Sequence, residues 1–261
     1  HQSIPVVVSR RVDFPLSGNL ASQWKYQAVD FFLPISEAIA TILVESGISR
    51  EKMEIVYSSV DSERFSDANG DRIREEFSIS KDCMVVGNIA ICEDRKCQKT
   101  ILEAVPAVLG RFPDVHFFFV GDGPLREELM AFSHELHIEH RVHFPGFRDD
   151  IKHFLDMFDL FLLVPKMEGL GSSILDAQYF SLPVIATPVG GIPEIVIDGE
   201  TGILIPVNDE HRLAQAMIEL LENPDRRKSL GSAGKRRMEE LFTAKVMAQR
   251  TVAAYQKILD K

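Results

Sequence analysis

Long hydrophobic stretches are absent from this 261-residue sequence, and so is the pattern of a leader peptide. The longest apolar runs, such as Val115–Val120 and Leu160–Val164, have the length of β-strands rather than of a bilayer-spanning helix. The first residues, His1-Gln2-Ser3, do not combine the basic and apolar segments of a secretory signal. Hydrophobic residues nevertheless make up 45% of the chain, which is enough for a buried core. We therefore expect a globular, cytoplasmic protein of one or two domains.

An excess of positive charge is also lacking. The formal net charge is −10 and the pI is about 5.3. This balance argues against nucleic acid as a partner and against a general attraction to anionic lipid. Two basic clusters, Arg226-Arg227-Lys228 and Lys235-Arg236-Arg237, fall on predicted helices, where we interpret them as solvated faces.

Cysteine is scarce, with Cys83, Cys92 and Cys97 the only three in the sequence. An odd number without a secretory context is typical of reduced thiols in a cytosolic protein. The spacing of Cys92 and Cys97 is not that of zinc ligands, and the eight histidines show no pairing typical of a metal site. We predict no metal or other cofactor.

From about residue 84 onward, strand-like and helix-like patterns alternate. The predicted strands are Met84–Ile89, Val115–Val120, Arg141–Phe144, Leu160–Val164, Pro183–Ala186 and Ile203–Pro206. The predicted helices are Thr100–Arg111, Leu125–His137, Ile151–Met157, Ser173–Phe180, Pro193–Ile197 and Glu210–Glu222. Strands of almost continuous Val, Ile, Leu and Phe are buried on both faces, which helices between parallel strands provide. The sequence therefore predicts an α/β fold with a doubly wound, Rossmann-like parallel sheet.

The first sixty residues contain too few elements for a domain of their own. The predicted elements are strands Pro5–Ser9, Phe31–Ile35 and Lys52–Val56 and helices Leu20–Ala28 and Ser36–Ser46. Ser36 is a plausible N-cap of the second helix. The segment Ser58–Gly70, rich in Ser, Asp, Asn and Gly, is the expected boundary. We interpret the part before it as the end of a second domain that begins outside this sequence.

The most informative segment is Glu168-Gly169-Leu170-Gly171-Ser172-Ser173-Ile174-Leu175-Asp176. It follows a predicted strand and opens a predicted helix, so two carboxylates bracket a glycine-rich turn. Glycines let a backbone approach a ligand closely, and the amides of a helix start bind anions. This layout predicts a site for a phosphorylated sugar carrier, with Glu168 near the sugar and Asp176 near a ribose. A capped strand-to-helix turn with two solvated acids is the alternative interpretation.

Two other glycine turns follow predicted strands. Gly121-Asp122-Gly123-Pro124 precedes a helix, with Pro124 suited to the first helical position, and Gly190-Gly191-Ile192-Pro193-Glu194 precedes another. Both have a simple alternative as tight connections, and the helix dipole alone would favour Glu194. Lys96, beside Arg95, lies in the loop after the first strand of the sheet, facing the edge where open α/β sheets bind ligands. A diphosphate leaving group needs such a cation.

Taken in order, these segments resemble the retaining glycosyltransferases of family 4, which have the GT-B architecture. The matching segments are Ile35-Ser36, Val60-Asp61 with Phe65, Val120-Gly121-Asp122-Gly123-Pro124, Val142-His143-Phe144-Pro145-Gly146, Phe158-Asp159-Leu160, Glu168-Gly169-Leu170-Gly171, Pro183-Val184-Ile185-Ala186-Thr187, Gly190-Gly191-Ile192-Pro193-Glu194 and Asp198-Gly199-Glu200-Thr201-Gly202. They cover nearly the whole chain, and their order is more specific than any one of them.

The resemblance implies three parts. Residues 1–62 would be the end of an acceptor-binding N-terminal domain, and residues 63–243 would form a Rossmann-like domain that binds a nucleotide-sugar donor. Residues 244–261 would form a helix that returns to the N-terminal domain. The family's glycine-rich loop near the chain start and a histidine of its acceptor domain have no counterpart in this sequence. We therefore expect this chain alone to bind a donor at most, with little or no sugar transfer.

The resemblance also implies roles for individual residues. Glu168 would lie against the transferred sugar, and Lys96 would bind phosphate. Asp176, the second carboxylate of the motif, would contact the ribose, and Phe147 would contact the base. The backbone of Gly169, Leu170, Gly171 and Ser172 would meet the diphosphate or the sugar, and Gly121 and Gly123 would belong to the same donor site.

Four departures from the family pattern affect this site. The second motif carboxylate is Asp176 instead of Glu, one methylene shorter. The family's arginine before the lysine is missing, and Arg95 is the available substitute. Cys97 replaces the usual glycine after Lys96, and Ser58-Ser59 replaces Asn-Gly before Val60-Asp61. Loss of one cation at a diphosphate weakens stabilisation of the transition state.

The leading hypothesis is a retaining transferase that moves a sugar from a UDP- or GDP-linked donor to an acceptor, such as a glycan or glycolipid of the cell envelope. Peripheral membrane association through the rest of the N-terminal domain would suit a lipid acceptor. A non-catalytic module that binds a nucleotide sugar is the second hypothesis, favoured by the missing arginine and by Asp176. A sugar-nucleotide epimerase of the same architecture is a third.

Overall fold

The computed structural model of the protein describes residues 4–14, 16 and 20–259, and these contain two parallel sheets. The strands are β1 (Val7–Arg10), β2 (Phe31–Pro34), β3 (Val85–Ile89), β4 (His116–Val120), β5 (Val142–Gly146), β6 (Leu160–Leu163), β7 (Val184–Ala186) and β8 (Ile203–Leu204). One sheet pairs β1 with β2, and the other has six strands in the order β5-β4-β3-β6-β7-β8. Every pair is parallel.

Helices connect successive strands, as parallel pairing requires. They are α1 (Leu20–Gln27), α2 (Glu37–Glu45), α3 (Asp71–Glu76), α4 (Gln98–Leu109), α5 (Arg126–Glu135), α6 (Ile151–Met157), α7 (Ser172–Tyr179), α8 (Ile192–Ile195), α9 (Glu210–Glu222), α10 (Pro224–Leu241) and α11 (Ala244–Leu259). The order reverses between β3 and β6, with β4 and β5 on one side and β7 and β8 on the other. This is the topological switch point of a doubly wound sheet, so the predicted fold class is confirmed.

The six-stranded sheet is buried on both faces because its strands alternate side chains between two hydrophobic clusters. On β4, Phe118 belongs to one cluster, whereas Phe117 and Phe119 belong to the other. Val85 and Val86 of β3 divide between the clusters in the same way. This alternation follows from the two-residue period of a strand and explains why β3, β4 and β6 are almost continuously apolar.

The two-stranded sheet has its own small cores. Ser36 caps α2 as predicted, because its side chain accepts a hydrogen bond from the amide of Ile39. The last helix, α11, packs on this sheet, where Ala254 is buried among Phe31, Leu33 and Val56. The division of the chain into domains at residues 62 and 243 stays a prediction.

Three local expectations differ from the structure. Lys52–Val56 is not a strand: a short 3-10 turn ends at Lys52, and Met53 alone forms a bridge to Phe32. The short helix α3 was not expected, because only Ile73 of its residues is buried and no apolar periodicity marks it. Pro124 lies in a turn before α5, which begins at Arg126, so it does not occupy the first helical position.

The length and hydropathy of the helices show whether any of them could cross a membrane. Within the described residues, no helix combines the length and the apolar character that crossing a bilayer requires.

Candidate functional site

The predicted site residues gather where the strands of the six-stranded sheet end. Lys96 follows β3, Gly121 and Gly123 follow β4, Phe147 follows β5, and the glycine turn beginning at Glu168 follows β6. In a parallel sheet these carboxyl ends share one edge. Open α/β sheets bind ligands at this edge, next to the point where the strand order reverses.

Lys96 and Glu168 form a shielded ion pair at this edge. Lys96 Nζ lies 2.6 Å from Glu168 Oε2, and the two side chains are 11% and 15% exposed. Glu168 Oε1 accepts a second hydrogen bond, from the amide of Gly169 at 3.1 Å. A buried pair whose remaining lone pairs are satisfied fixes the position of both charges. The sequence predicted both residues for the site, and the structure brings them into contact.

Position 190 requires glycine because the turn at Gly190 packs closely against the turn that begins at Glu168. Its φ is +54°, and a Cβ atom there would lie 1.6 Å from the carbonyl oxygen of Glu168. Gly191 is also crowded, but less severely, because a Cβ would lie 2.7 Å from the carbonyl oxygen of Gly169. The same Gly169 oxygen accepts a 2.8 Å hydrogen bond from Ser36 Oγ. The two turns and the start of α2 therefore form one unit that positions Glu168.

The start of α7 presents hydrogen-bond donors. Gly171 precedes the helix with φ +91°, and the helix begins at Ser172. The amides of Ser172 and Ser173 have no acceptor among the described residues. Such amides, together with the helix dipole, favour an anion. The Leu170 side chain is buried in the hydrophobic core, and the residue also lines a cavity at this turn.

In the described part of the chain, two cavities are lined by predicted site residues. One, of about 300 Å³, lies between residues 11–14 after β1 and the turn 168–172, and Arg95 also lines it. The other, of about 550 Å³, is lined by residues 89–91 on one side and by Phe147 and Arg148 on the other, with Gly121 and Arg64 completing it. The Phe147 side chain is 78% exposed, which leaves its ring face available for stacking.

Asp176 lies on α7 close to Arg64. Burial raises the pKa of its carboxyl to about 6, although the positive charge of Arg64 opposes the shift. Arg64 also lines the larger cavity, whereas Asp176 itself lines neither of the two cavities.

Arg95, the suggested substitute for the missing arginine, is already engaged. Its guanidinium pairs with Glu93 and lies 3.6 Å from Asp13 Oδ1. The hydrogen bond with Glu93 raises the Arg95 pKa further above its ordinary value. Cys97 adopts φ +53°, the left-handed conformation in which a glycine would be unstrained. The departures from the family pattern therefore change how this loop is held.

The glycines after β4 have a structural explanation. A Cβ at Gly121 would lie 2.0 Å from the carbonyl oxygen of Ala90, and one at Gly123 would lie 2.4 Å from that of Cys92. Both glycines let the loop after β4 pack on the loop after β3. Gly121 lines the larger cavity, whereas Gly123 does not.

Sequence reasoning missed four polar residues at these cavities and turns. They are Asp13, Arg64, Arg148 and Glu194. Glu194 was noted for its own helix dipole and as part of a segment shared with the family, but not for its contact with α2: its carboxylate accepts hydrogen bonds from the amides of Glu37 and Ala38 at the start of that helix. The other three lie in loops or short turns, where no periodicity reveals which way a side chain points.

The architecture is shared with solved glycosyltransferases. A crystal structure of Anabaena Alr3699/HepE in complex with UDP and glucose matches 97% of this chain with a TM-score of 0.85. The two sequences are 22% identical, and the match covers 72% of that chain. The fold is therefore an α/β, Rossmann-like fold of the GT-B type.

Sequence comparison defines the family. A family model described as glycosyl transferases group 1 matches residues 69–237, and the chain belongs to this family. It is 29% identical over 209 residues to the N-acetyl-alpha-D-glucosaminyl L-malate synthase of Bacillus anthracis, covering 80% of this chain and 55% of the relative. It is 32% identical over 195 residues to a GDP-mannose-dependent alpha-(1-6)-phosphatidylinositol monomannoside mannosyltransferase of Mycolicibacterium smegmatis, covering 70% and 50%. The chain thus spans about half the length of both relatives.

Proposed function

We propose that the protein is a retaining glycosyltransferase that moves a sugar from a nucleoside diphosphate to a hydroxyl group of an acceptor. The observation that carries this proposal is the Lys96–Glu168 ion pair at the start of α7, where the amides of Ser172 and Ser173 have no hydrogen-bond acceptor among the described residues. A cation and helix amides suit a diphosphate, and a carboxylate next to them suits the hydroxyls of a sugar. The family and its named relatives support the same activity.

The donor would lie across the carboxyl ends of the strands. Its diphosphate would bind at Ser172 and Lys96, with Glu168 against the sugar. The nucleoside would extend into the cavity of about 550 Å³, where Phe147 offers a ring for the base. Asp176, beside Arg64, would accept a hydrogen bond from a ribose hydroxyl.

Transfer would take place on the front face of the sugar. The acceptor oxygen bonds to the anomeric carbon as the bond from that carbon to the diphosphate oxygen breaks. The hydroxyl proton passes to the departing phosphate oxygen, and the configuration of the sugar is retained. Lys96 and the α7 amides stabilise the charge that develops on the leaving group. On this proposal the reaction proceeds without a metal ion, so chelation with EDTA should leave it unchanged.

Calorimetry with UDP and with GDP tests the proposal on this chain. We expect one of them to bind at concentrations up to the millimolar range, and Lys96→Met to weaken that binding by about tenfold or more, since a charged hydrogen bond to phosphate is lost. Lys99→Met is the matched control, because Lys99 lies over the ring of Phe132 instead. Absence of binding by either nucleotide contradicts the proposal.

Glu168→Gln tests the role of the carboxylate in the full-length protein. Transfer should fall by about 100-fold or more while nucleotide binding is retained, because a group acting on the sugar changes the rate rather than the affinity for the diphosphate. Unchanged transfer would exclude Glu168 from the mechanism.

The acceptor is proposed to be a glycan or glycolipid of the cell envelope, and the protein to work on the cytoplasmic side. The support is the relative whose name specifies a phosphatidylinositol mannoside. The same name specifies GDP-mannose, whereas the matching crystal structure holds UDP, so UDP- and GDP-linked donors both belong in the screen. A lipid acceptor would bring the protein to a membrane surface, which flotation with liposomes measures.

A non-catalytic module that binds a nucleotide sugar is the second candidate. The observation that favours it is the engagement of Arg95 by Glu93 and Asp13, which leaves Lys96 as the main cation at the diphosphate position. Binding of an intact nucleotide sugar without release of the free nucleotide, in the full-length protein and with acceptors present, would distinguish this function from transfer.

A further inference from the structure

The residues assigned above occupy only one wall of the smaller cavity. Arg11, Val12, Asp13 and Phe14, which follow β1, form the opposite wall and face the turn that begins at Glu168. This second wall comes from the two-stranded sheet, whereas the first comes from the six-stranded sheet. A molecule in the cavity therefore contacts both parts of the chain at once.

Asp13 is the carboxylate of this second wall. Its side chain is 12% exposed, and its Oδ1 lies 3.6 Å from Arg95 Nη1. Its other oxygen, Oδ2, is buried and has no hydrogen-bond partner among the described residues. A buried carboxylate oxygen without a donor is costly, and native proteins rarely keep one unless a ligand or an ordered water supplies the donor.

The surrounding charges keep Asp13 in place. Arg95 lies between Asp13 and Glu93, so its guanidinium links the loop after β3 to the loop after β1. Glu168 lines the same cavity, but its charge is matched by Lys96. Arg11 donates a hydrogen bond to Ser58 Oγ and stays on the exposed side of the cavity. Of the two carboxylates that line this cavity in the described part of the chain, Asp13 therefore has the open acceptor position, at Oδ2.

We propose that Asp13 binds the attacking hydroxyl group of the acceptor and orients its oxygen toward the sugar. This inference rests on the proposed transfer reaction. The hydroxyl donates its hydrogen bond to Asp13 Oδ2 as the acceptor binds. The O–H then rotates to the departing diphosphate oxygen, which takes the proton as the new bond forms. Asp13 takes no part in the proton transfer and is a positioning residue. The acceptor class is thus a compound with a free hydroxyl group, because a hydroxyl supplies the hydrogen-bond donor that Asp13 Oδ2 lacks.

Asp13→Asn in the full-length protein tests the proposal, since it preserves the shape of the side chain and removes its charge. The readouts are sugar transfer to octyl glycosides and to glycerol, hydrolysis of the donor by water, and nucleotide binding. We expect the kcat/KM for transfer to fall about 10- to 100-fold, the loss expected for a charged hydrogen bond. Donor hydrolysis and nucleotide affinity should change less than threefold.

Glu93→Gln is the matched control. It also removes a carboxylate from Arg95, but Glu93 does not line the cavity between the two walls. If Asp13 acted only by holding Arg95, the two variants would lose transfer equally, and that result would overturn the proposal.

Three other outcomes count against it. Equal losses of hydrolysis and transfer in Asp13→Asn would place Asp13 on the donor sugar instead of the acceptor. Unchanged transfer would remove it from the reaction. A wild-type protein that hydrolyses the donor but transfers to no glycoside or glycerol would contradict a hydroxyl acceptor. Failure of the wild-type protein to bind any nucleotide would instead contradict the proposed function itself, before Asp13 is in question.

Discussion

At the scale of single residues, Gly190 and Gly199 allow the cost of replacing a crowded glycine to be compared with that of replacing an open one. Both have positive φ, +54° and +74°, but only Gly190 is crowded, by the carbonyl oxygen of Glu168. Gly199→Ala should cost about 1 kcal/mol of stability, the strain of a left-handed alanine. Gly190→Ala should cost about 3 kcal/mol or more, because the backbone of the turn must also move. Urea unfolding measures both, and equal costs would contradict the close contact between the two glycine turns.

Asp176 should make stability depend on pH in an unusual direction. Its pKa is raised to about 6, against about 3.9 in an unfolded chain, so the folded state binds this proton more tightly. The resulting stabilisation is full below pH 4 and is lost as the pH rises through 6, by about 2 kcal/mol. Asp176→Asn lacks this titration, so its stability relative to the wild type should improve by about that amount between pH 4 and pH 7.5.

The measurement for Asp176 is urea unfolding at several pH values. Glu239→Gln, an exposed carboxylate on α10, is the control and should show no such trend. A constant difference between Asp176→Asn and the wild type at every pH would contradict the burial of this carboxyl group. If Asp176 also contacts ribose, the stabilised variant should bind nucleotide more weakly, and improved stability would accompany reduced function.

Lys96 and Glu168 were predictable from loops that follow strands of the six-stranded sheet, whereas Asp13 and Arg64, which lie outside that sheet, were not. Lys96 and Glu168 lie within a few residues of the ends of β3 and β6, so the parallel sheet alone brings them to one edge. Asp13 and Arg64 belong to a loop and a 3-10 turn far from that sheet in sequence. Their positions depend on how the two sheets meet, which no local pattern encodes.

At the scale of elements, the edge pair β4–β5 holds two stacked histidines. Arg141 donates to His116 Nε2 at 3.0 Å, and a guanidinium can only donate. His116 Nδ1 therefore carries its proton and donates to His143 Nε2 at 2.9 Å. Protonation of His143 would break this bond, and burial lowers its pKa to about 4.

This arrangement predicts loss of stability in acid. The unfolded chain binds the proton of His143 near pH 6.5, whereas the folded state resists it until about pH 4. Stability therefore falls by about 2 kcal/mol from this group between pH 7.5 and pH 5. His143→Gln retains an acceptor but does not titrate, so its stability should fall less over that range. His211→Gln, at a 90% exposed side chain, is the control and should behave as the wild type does.

Elements were predictable where burial imposed a period. The strands of the six-stranded sheet are apolar on both faces, and the helix Glu210–Glu222 has one apolar stripe. Both patterns are visible in the sequence and predict these elements. Lys52–Val56 has a strand-like composition, but only Met53 completes a bridge, and the rest of the segment follows a 3-10 turn. Strand formation depends on a partner as well as on propensity.

At the scale of the molecule, the start of α2 joins the two sheets. Ser36 binds the carbonyl of Gly169, and the Glu194 carboxylate accepts from the amides of Glu37 and Ala38 at 2.9 and 3.2 Å. Arg237 also holds the turn that contains Glu194, by donating a hydrogen bond to the carbonyl oxygen of Glu194. A carboxylate from one part thus adds to the Ser36 cap of the helix in the other, and the helix dipole strengthens the contact.

The pKa of Tyr57 reports on the contact between Glu194 and the start of α2. Burial, followed by the charge and hydrogen bond of Glu194, raises the pKa of its phenol to about 12. Glu194→Ala should return that pKa toward 10 and destabilise the junction by about 1 to 2 kcal/mol, since two helix amides lose their acceptor. Ultraviolet titration resolves the change once Tyr57→Phe has identified the signal among the four tyrosines. Glu200→Ala, an exposed acid in the following turn, should shift neither quantity. If the phenol of Glu194→Ala still titrates near 12, burial alone sets its pKa, and Glu194 does not hold the two sheets together in solution.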